Sequence, residues 1–152
     1  MSLRTRPLHP EFGVEILDVR IGPDLSDEKF QEVRSAWEQH SLVLLRNQDL
    51  SPAEQEKFTL RFRELEYHVM KEHTFAGAPG VMILTNAVEG CKPMGAHKVG
   101  WHWHTDLTYF PEPCDMTMLL GVEIPPEGGD TFFCSLTAAY DALSPAQKQR
   151  ID

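Results

Sequence analysis

The most informative segment of the chain reads Trp101-His102-Trp103-His104-Thr105-Asp106-Leu107-Thr108-Tyr109. Aromatic residues and threonine favour extended structure, in which side chains two residues apart share a face, with Cα atoms about 6.6 Å apart. On a straight strand, His102 and Asp106 would lie about 13 Å apart, which is too far for one ion. The segment therefore predicts a metal site formed either by His102 with His104 or by His104 with Asp106.

The two pairs imply different chemistry. Imidazole and carboxylate ligands with open coordination positions are typical of the facial triad, two His and one carboxylate, of non-haem iron(II) oxygenases. A cupin-type site instead requires a Glu a few residues beyond a His-x-His pair, and this chain has Thr108 and Tyr109 there. Short His-x-Asp matches also occur by chance, so spacing alone leaves a third interpretation, two polar residues in a loop.

Outward from this segment, the sequence predicts short strands alternating with capped helices. Helices are expected after Ser26, with an apolar stripe of Phe30, Val33 and Trp37, and after two capping boxes that begin at Ser51 and Ser144. Apolar or β-prone runs predict strands, and a Gly- and Lys-containing stretch predicts a long loop. The strands are expected at 12–17, 41–45, 81–84, 101–110, 116–124 and 131–134, and the loop at 89–100.

A second motif adds context to the first. The segment 104–109 is followed by Gly128-Gly129-Asp130-Thr131, and together they resemble the H-T-D-x-T-F and G-G-D-T motifs of the taurine/2,4-dichlorophenoxyacetate (TauD/TfdA) dioxygenase family. Further matches occur in the same order at 25–27, 39–48, 62–65 and 138–144. Collinear matches over nearly the whole chain are far more specific than either motif alone. The chain is similar to the N-terminal half of an iron(II)- and 2-oxoglutarate-dependent dioxygenase.

The resemblance implies a fold and a site. The fold would be α+β, a double-stranded β-helix (jelly roll, clavaminate-synthase-like) with packing helices, incomplete in residues 1–152, which form the N-terminal part of one dioxygenase domain. By resemblance, His104 and Asp106 are iron ligands and Thr131 hydrogen-bonds a carboxylate of 2-oxoglutarate. His68 and Tyr109 correspond to residues near the primary substrate, with a surface histidine and a packing aromatic as the respective alternatives.

The implied activity is hydroxylation of a small organic substrate with Fe(II), 2-oxoglutarate and O2, releasing succinate and CO2. The family's second metal-binding histidine and its 2-oxoglutarate-binding arginine correspond to positions beyond Asp152, so we expect residues 1–152 alone to be inactive. Gly100 stands near the position of a polar sulfonate-contacting residue in the taurine enzyme, which argues against taurine as the substrate. The alternatives are a non-catalytic fragment or metal-binding module, and a cupin that does not use 2-oxoglutarate.

Composition restricts the partners and the compartment. A net charge of −9 argues against binding to nucleic acid phosphates. No apolar segment approaches the roughly 20 residues of a membrane span, and the N-terminus does not have the pattern of a signal peptide. Three cysteines without a CxxC pair predict free thiols in the cytoplasm. We expect a small-molecule substrate, and homo-oligomer formation stays open.

Overall fold

The computed structural model describes residues 2–67, 71–96 and 99–152, which divide into two compact units. The first unit contains the described residues up to Arg20, Leu25–Gln48 and Gly121–Asp152, and the second contains Ile21–Asp24 and Asp49–Leu120. The elements, in chain order, are β1 (Thr5–Pro7), β2 (Val14–Ile16), α1 (Asp27–His40), β3 (Val43–Leu45), α2 (Pro52–Thr59), a 3₁₀ turn (Lys71–His73), β4 (Thr74–Phe75), β5 (Ala78–Met82), β6 (Val88–Glu89), β7 (Lys92–Pro93), α3 (Leu136–Asp141) and α4 (Pro145–Ile151).

A three-stranded sheet forms the centre of the first unit. Strand β2 pairs antiparallel with β1 and parallel with β3, with Val14 opposite Val43. Parallel neighbours need a crossover connection, and α1 provides it between β2 and β3. All three residues of β2 are buried. The predicted strands at 12–17 and 41–45 are therefore confirmed at Val14–Ile16 and Val43–Leu45, whereas β1 has no counterpart among the predictions.

Helix α1 follows the predicted pattern closely. The Ser26 side chain accepts a hydrogen bond from the Lys29 backbone N–H, which satisfies one of the free donors of the first turn. Phe30 and Val33 are each only 2% exposed. The helix ends at His40, and its C-cap, Ser41, adopts a left-handed conformation at φ +62°.

A buried carboxylate lies in the middle of this sheet. Glu15 on β2 is 3% exposed, and it accepts hydrogen bonds from the guanidinium groups of Arg6 and Arg46. The Arg6 hydrogen bond is the main cause that lowers the pKa of Glu15, with a further contribution from Arg46, while burial acts in the opposite direction. Both carboxylate oxygens have a cationic partner, so the polar group inside the sheet is satisfied.

The second unit is built on α2 and the β4–β5 pair. The Ser51 capping box is complete: its hydroxyl accepts from the Glu54 N–H, and the Glu54 carboxylate accepts from the Ser51 N–H. Phe58 is buried and meets Phe62 edge-on, with ring centroids 5.4 Å apart. Gly80 on β5 lies close to Leu65: a Cβ there would be 2.6 Å from the Leu65 Cδ1 atom, so a larger residue would displace the Leu65 side chain.

The predicted strand at 81–84 and the predicted loop at 89–100 need adjustment. Strand β5 begins earlier, at Ala78, and ends at Met82. The region after it contains the short antiparallel pair β6–β7, turning at Gly90 with φ +63°. An isolated parallel bridge joins Leu84 to Ala96. The predicted loop therefore contains a short hairpin, and a bridge at Ala96, within its described residues.

Three predicted strands are wrong as regular elements. In the described parts of the chain, 101–110, 116–124 and 131–134 join no β-ladder, and 106–109 forms a turn. A strand requires a hydrogen-bonded neighbour, and the described residues supply none to these segments. Val122, Ile124 and Phe132 are accordingly at least 75% exposed. The mixture of helices and sheets is confirmed, and the double-stranded β-helix stays a prediction.

Helix α4 begins with the second predicted capping box, Ser144 with Gln147, which is also complete. All three cysteines have free thiols. Among the residues that the structure describes, no helix has both the length and the hydropathy needed to cross a bilayer.

Candidate metal centre

His104 and Asp106 lie together at the surface of the second unit. The imidazole Nε2 is 3.2 Å from the carboxylate Oδ1, and the two side chains are 55% and 45% exposed. Their two-residue spacing brings them together without a regular strand: the pair stands at the start of a turn over 106–109, in which Leu107 adopts a left-handed backbone at φ +53°. Of the two pairs that the spacing allows, the geometry therefore favours His104 with Asp106.

The orientation of His104 is set by the backbone. Its Nδ1 lies 2.7 Å from the carbonyl oxygen of His102. A carbonyl oxygen can only accept, so Nδ1 carries the proton and donates it. In the neutral imidazole, Nε2 then presents its lone pair towards Asp106. His102 contributes to the site through its main chain, whereas the sequence considered only its ring.

The orientation of Asp106 is set by a side chain. The Thr117 hydroxyl donates to the Asp106 Oδ2 at 2.7 Å. Two further contacts involve the backbone at and after Asp106. The Cys114 thiol, a weak donor, lies 3.5 Å from the Asp106 carbonyl oxygen, and the Phe110 N–H donates to the Leu107 carbonyl. The Asp106 Oδ2 atom thus accepts a hydrogen bond from Thr117, and Oδ1 faces the His104 ring.

This donor set fits a divalent cation. Nε2 and Oδ1 both present lone pairs, and two such atoms 3.2 Å apart repel each other unless a proton or a cation lies between them. Bonds of about 2.1 Å at a right angle would place two ligand atoms about 3.0 Å apart, close to the observed separation. Imidazole ligands usually donate their second ring N–H to a carbonyl or carboxylate, as His104 does. Within residues 2–67, 71–96 and 99–152, no third His, Cys, Asp or Glu completes the group.

A pocket adjoins the pair. Its volume is about 480 Å³, and its lining residues are Gly100, Trp101, His102 and His104. Gly100 has φ +72°, and a Cβ at this position would lie 3.8 Å from the His104 Cε1. The pocket therefore opens directly beside one candidate ligand. A molecule bound there would contact the imidazole and the indole ring.

The remaining predicted site residues are distributed along the chain. Thr131 belongs to the first unit; it is exposed, follows the left-handed Gly128 and Gly129, and makes no hydrogen bond to another described residue through its hydroxyl. Tyr109 is 67% exposed, and its ring lies 4.9 Å from that of Phe110. The prediction for His68 falls outside the described residues.

Two contributors to the site were missed by the sequence. The His102 carbonyl could not be inferred, because any residue at that position offers the same atom. Thr117 lies 11 residues beyond Asp106, in a segment predicted to be a strand, and no spacing rule connects the two. Thr117 would be found only by examining hydroxyl-bearing residues near the carboxylate in space.

Comparison with known proteins gives a consistent result. The family model for the taurine catabolism dioxygenase TauD, TfdA family matches residues 4–152. The alpha-ketoglutarate-dependent 2,4-dichlorophenoxyacetate dioxygenase of Cupriavidus pinatubonensis is 29% identical over 94% of this chain and 53% of its own length.

Solved structures of dioxygenases also resemble this chain. A Burkholderia xenovorans protein assigned as an alpha-ketoglutarate-dependent taurine dioxygenase is 30% identical, with a TM-score of 0.82 over 99% of this chain and 51% of its own. AAD-2, solved with Mn(II) and N-oxalylglycine, has the same fold at a TM-score of 0.68 and 22% identity, covering 99% of this chain and 49% of its own. The chain spans about half the length of these relatives. The resemblance inferred from the motifs is confirmed: the chain belongs to the TauD/TfdA family of 2-oxoglutarate-dependent dioxygenases.

Proposed function

We propose that residues 1–152 form the N-terminal part of a dioxygenase domain that binds Fe(II) and 2-oxoglutarate and hydroxylates a small organic substrate. The observation that supports this most strongly is the His104–Asp106 pair. Its nitrogen and oxygen donors face each other, and each ligand is oriented on its far side by a separate hydrogen bond. Membership of a family of 2-oxoglutarate-dependent dioxygenases supplies the reaction class.

The proposed architecture follows from the same family. We propose that the complete fold is a double-stranded β-helix with packing helices, to which this chain contributes its helices and part of the strands. The TM-score of 0.82 to the Burkholderia xenovorans protein supports this architecture. Segments 116–124 and 131–134 have exposed apolar side chains and pair with no described strand. Additional strands of such a fold would pair with these segments.

Each residue has a role in the proposed site. His104 Nε2 and Asp106 Oδ1 hold the iron, while the His102 carbonyl and the Thr117 hydroxyl keep those two atoms facing each other. The Thr131 hydroxyl donates to a carboxylate of 2-oxoglutarate. When bound, the iron supplies the oxidative chemistry in which O2 and 2-oxoglutarate are consumed and succinate and CO2 are released.

The substrate would occupy the pocket beside His104. Among the described residues, its walls offer the Trp101 indole and the imidazoles of His102 and His104. Gly100 has no polar side chain, near the position where the taurine enzyme has a sulfonate-contacting residue, which argues against taurine. By the family resemblance, His68 and Tyr109 are proposed to contact the substrate.

A metal titration tests the assignment. In the protein that carries this chain, His104→Ala and Asp106→Ala should each nearly abolish Fe(II) binding, because each removes one of two charged or lone-pair donors. His102→Ala is the matched control: it removes a neighbouring imidazole but keeps the backbone carbonyl, so most iron should stay bound. Equal loss in His102→Ala would refute the pair.

A second candidate function is a metal-binding module without turnover. The observation in its favour is that the described residues supply two ligands and no third. Succinate release that depends on 2-oxoglutarate, measured on the same preparations, separates the two functions. Iron binding without succinate release would support the module, and release that is lost together with iron in Asp106→Ala would support the dioxygenase.

A further inference from the structure

The carboxylate of Asp106 is held by a hydroxyl from a distant part of the chain. Thr117 Oγ1 donates to Asp106 Oδ2 at 2.7 Å across 11 residues. A hydrogen bond from a neutral hydroxyl to a charged carboxylate is shorter and stronger than a neutral one. The other oxygen, Oδ1, is the atom that faces His104 Nε2. The two oxygens of one carboxylate therefore have different neighbours.

The segment that carries Thr117 is fixed on both sides. Before it, the Asp115 carboxylate pairs with the Arg63 guanidinium just beyond α2. After it, the Met118 carbonyl accepts from the Gln55 side chain at 3.3 Å. The Thr59 hydroxyl also lies 3.5 Å from the Met118 sulfur. An irregular segment without a β-ladder is thus anchored to α2 and the turn after it, and this anchoring fixes the position of the Thr117 hydroxyl.

We propose that Thr117 is a positioning residue that restricts Asp106 to coordinating the metal through Oδ1 alone. This inference rests on the proposed function of the His104–Asp106 pair. The terminal torsion of an aspartate is broad, so nothing intrinsic to the side chain prevents both oxygens from turning towards one ion. A hydrogen bond to Oδ2 opposes that rotation. Coordination through one oxygen leaves open the positions that a cosubstrate and O2 require at a facial triad.

Substitution of Thr117 tests this role. Thr117→Val keeps the branched shape and removes the donor, so Oδ2 loses its partner and Asp106 is free to rotate. Loss of such an outer partner typically weakens metal affinity about 10- to 100-fold. We also expect a change in coordination, visible as a shifted and altered visible absorption spectrum when Co²⁺ alone is bound. Thr117→Ser retains the hydroxyl and should restore both the affinity and the spectrum of the unmodified protein.

A matched control separates positioning from general disturbance. The Thr108 hydroxyl donates to the Thr105 carbonyl at 3.3 Å and bonds neither candidate ligand side chain, so Thr108→Val should leave Co²⁺ affinity and spectrum unchanged. Thermal unfolding of each variant shows whether the fold is kept; Thr117 is exposed, so a small change is expected.

The outcomes distinguish the two proposals. If the unmodified protein binds no Co²⁺, the metal centre itself is refuted, and the role of Thr117 with it. If it binds Co²⁺ and Thr117→Val has the same affinity and spectrum, the metal centre stands and the positioning role alone is overturned. Weakened binding in Thr117→Val that Thr117→Ser restores supports the role. If Thr117→Ser behaves like Thr117→Val, the hydroxyl is not the cause and the role is overturned.

Discussion

Replacement of Thr131 by valine isolates one hydroxyl at the proposed cosubstrate site. The side chain is exposed and its hydroxyl bonds no other described residue, so the substitution removes no hydrogen bond within the described part of the chain. Valine has nearly the same shape, and surface changes of this kind alter the free energy of unfolding by less than about 0.5 kcal/mol. The midpoint of thermal unfolding should therefore stay almost constant.

The expected loss is in 2-oxoglutarate affinity. A hydrogen bond to a charged acceptor contributes about 1.5–3 kcal/mol, and 1.4 kcal/mol corresponds to a tenfold change in affinity, so the weakening should be about ten- to more than a hundredfold. Iron affinity should stay the same, because His104 and Asp106 are both intact. The unusual turn before Thr131, with φ +74° and +73° at two successive glycines, is also preserved in the variant.

Two measurements check this expectation. Calorimetric titration of the metal-loaded protein gives the dissociation constant of 2-oxoglutarate, and succinate release gives its KM. Thr131→Ser keeps the hydroxyl and should stay within a fewfold of the unmodified protein in both. An unchanged KM and dissociation constant in Thr131→Val would show that Thr131 only follows the glycine turn and does not bind the cosubstrate.

Two further predictions concern stability. Arg6 and Arg46 lower the pKa of Glu15, so the ionised carboxylate stabilises the fold above its ordinary pKa of 4.5, and this stabilisation is lost as the pH falls through the lowered value. Glu15→Gln should therefore flatten the acid limb of a plot of melting temperature against pH. An acid limb parallel to that of the unmodified protein would contradict the stabilising role of the Glu15 ion pairs with Arg6 and Arg46. Ser51→Ala and Ser144→Ala each remove a helix cap and should each lower the free energy of unfolding by about 0.5–2 kcal/mol. Only the Ser51 box uses a carboxylate, so only the cost of Ser51→Ala should shrink in acid. If the destabilisation by the two variants depends equally on pH, this account is wrong.

Local patterns in the sequence were sufficient for the helices and part of the sheet. The caps at Ser26, Ser51 and Ser144 are formed by residues within three positions of each other, so tertiary contacts are not needed to specify them. The apolar run at 41–45 identified β3 through side-chain hydrophobicity, although the three residues of the strand are half-buried and not buried as predicted. These features were predictable because cause and effect lie within one or two turns of chain.

The failures have a common physical origin. The segments 116–124 and 131–134 have strand composition, but a strand also needs a neighbour, and composition does not say whether one is present. The sequence placed His104 and Asp106 on one face of a regular strand; the structure keeps the pair together without a strand, at the start of a turn in which Leu107 has positive φ, a conformation that residue type does not indicate. Their identification depended on matching motifs, whereas the His102 carbonyl and Thr117 depended on tertiary structure.

The short sequence separations around the metal pair have a consequence for the order of folding. The contacts that orient His104 and Asp106 span 2 and 11 residues, whereas the parallel pairing of Val14 with Val43 must close a loop of nearly thirty. Loops of about ten residues close in roughly 10–100 ns, and the entropic cost of closure rises with length. His104 can therefore meet the His102 carbonyl early, but Thr117 reaches Asp106 only once contacts that span 52 and 63 residues anchor its segment to α2 and the turn after it. The orientation of the carboxylate thus depends on folding of the second unit, whereas the orientation of the imidazole needs only local chain.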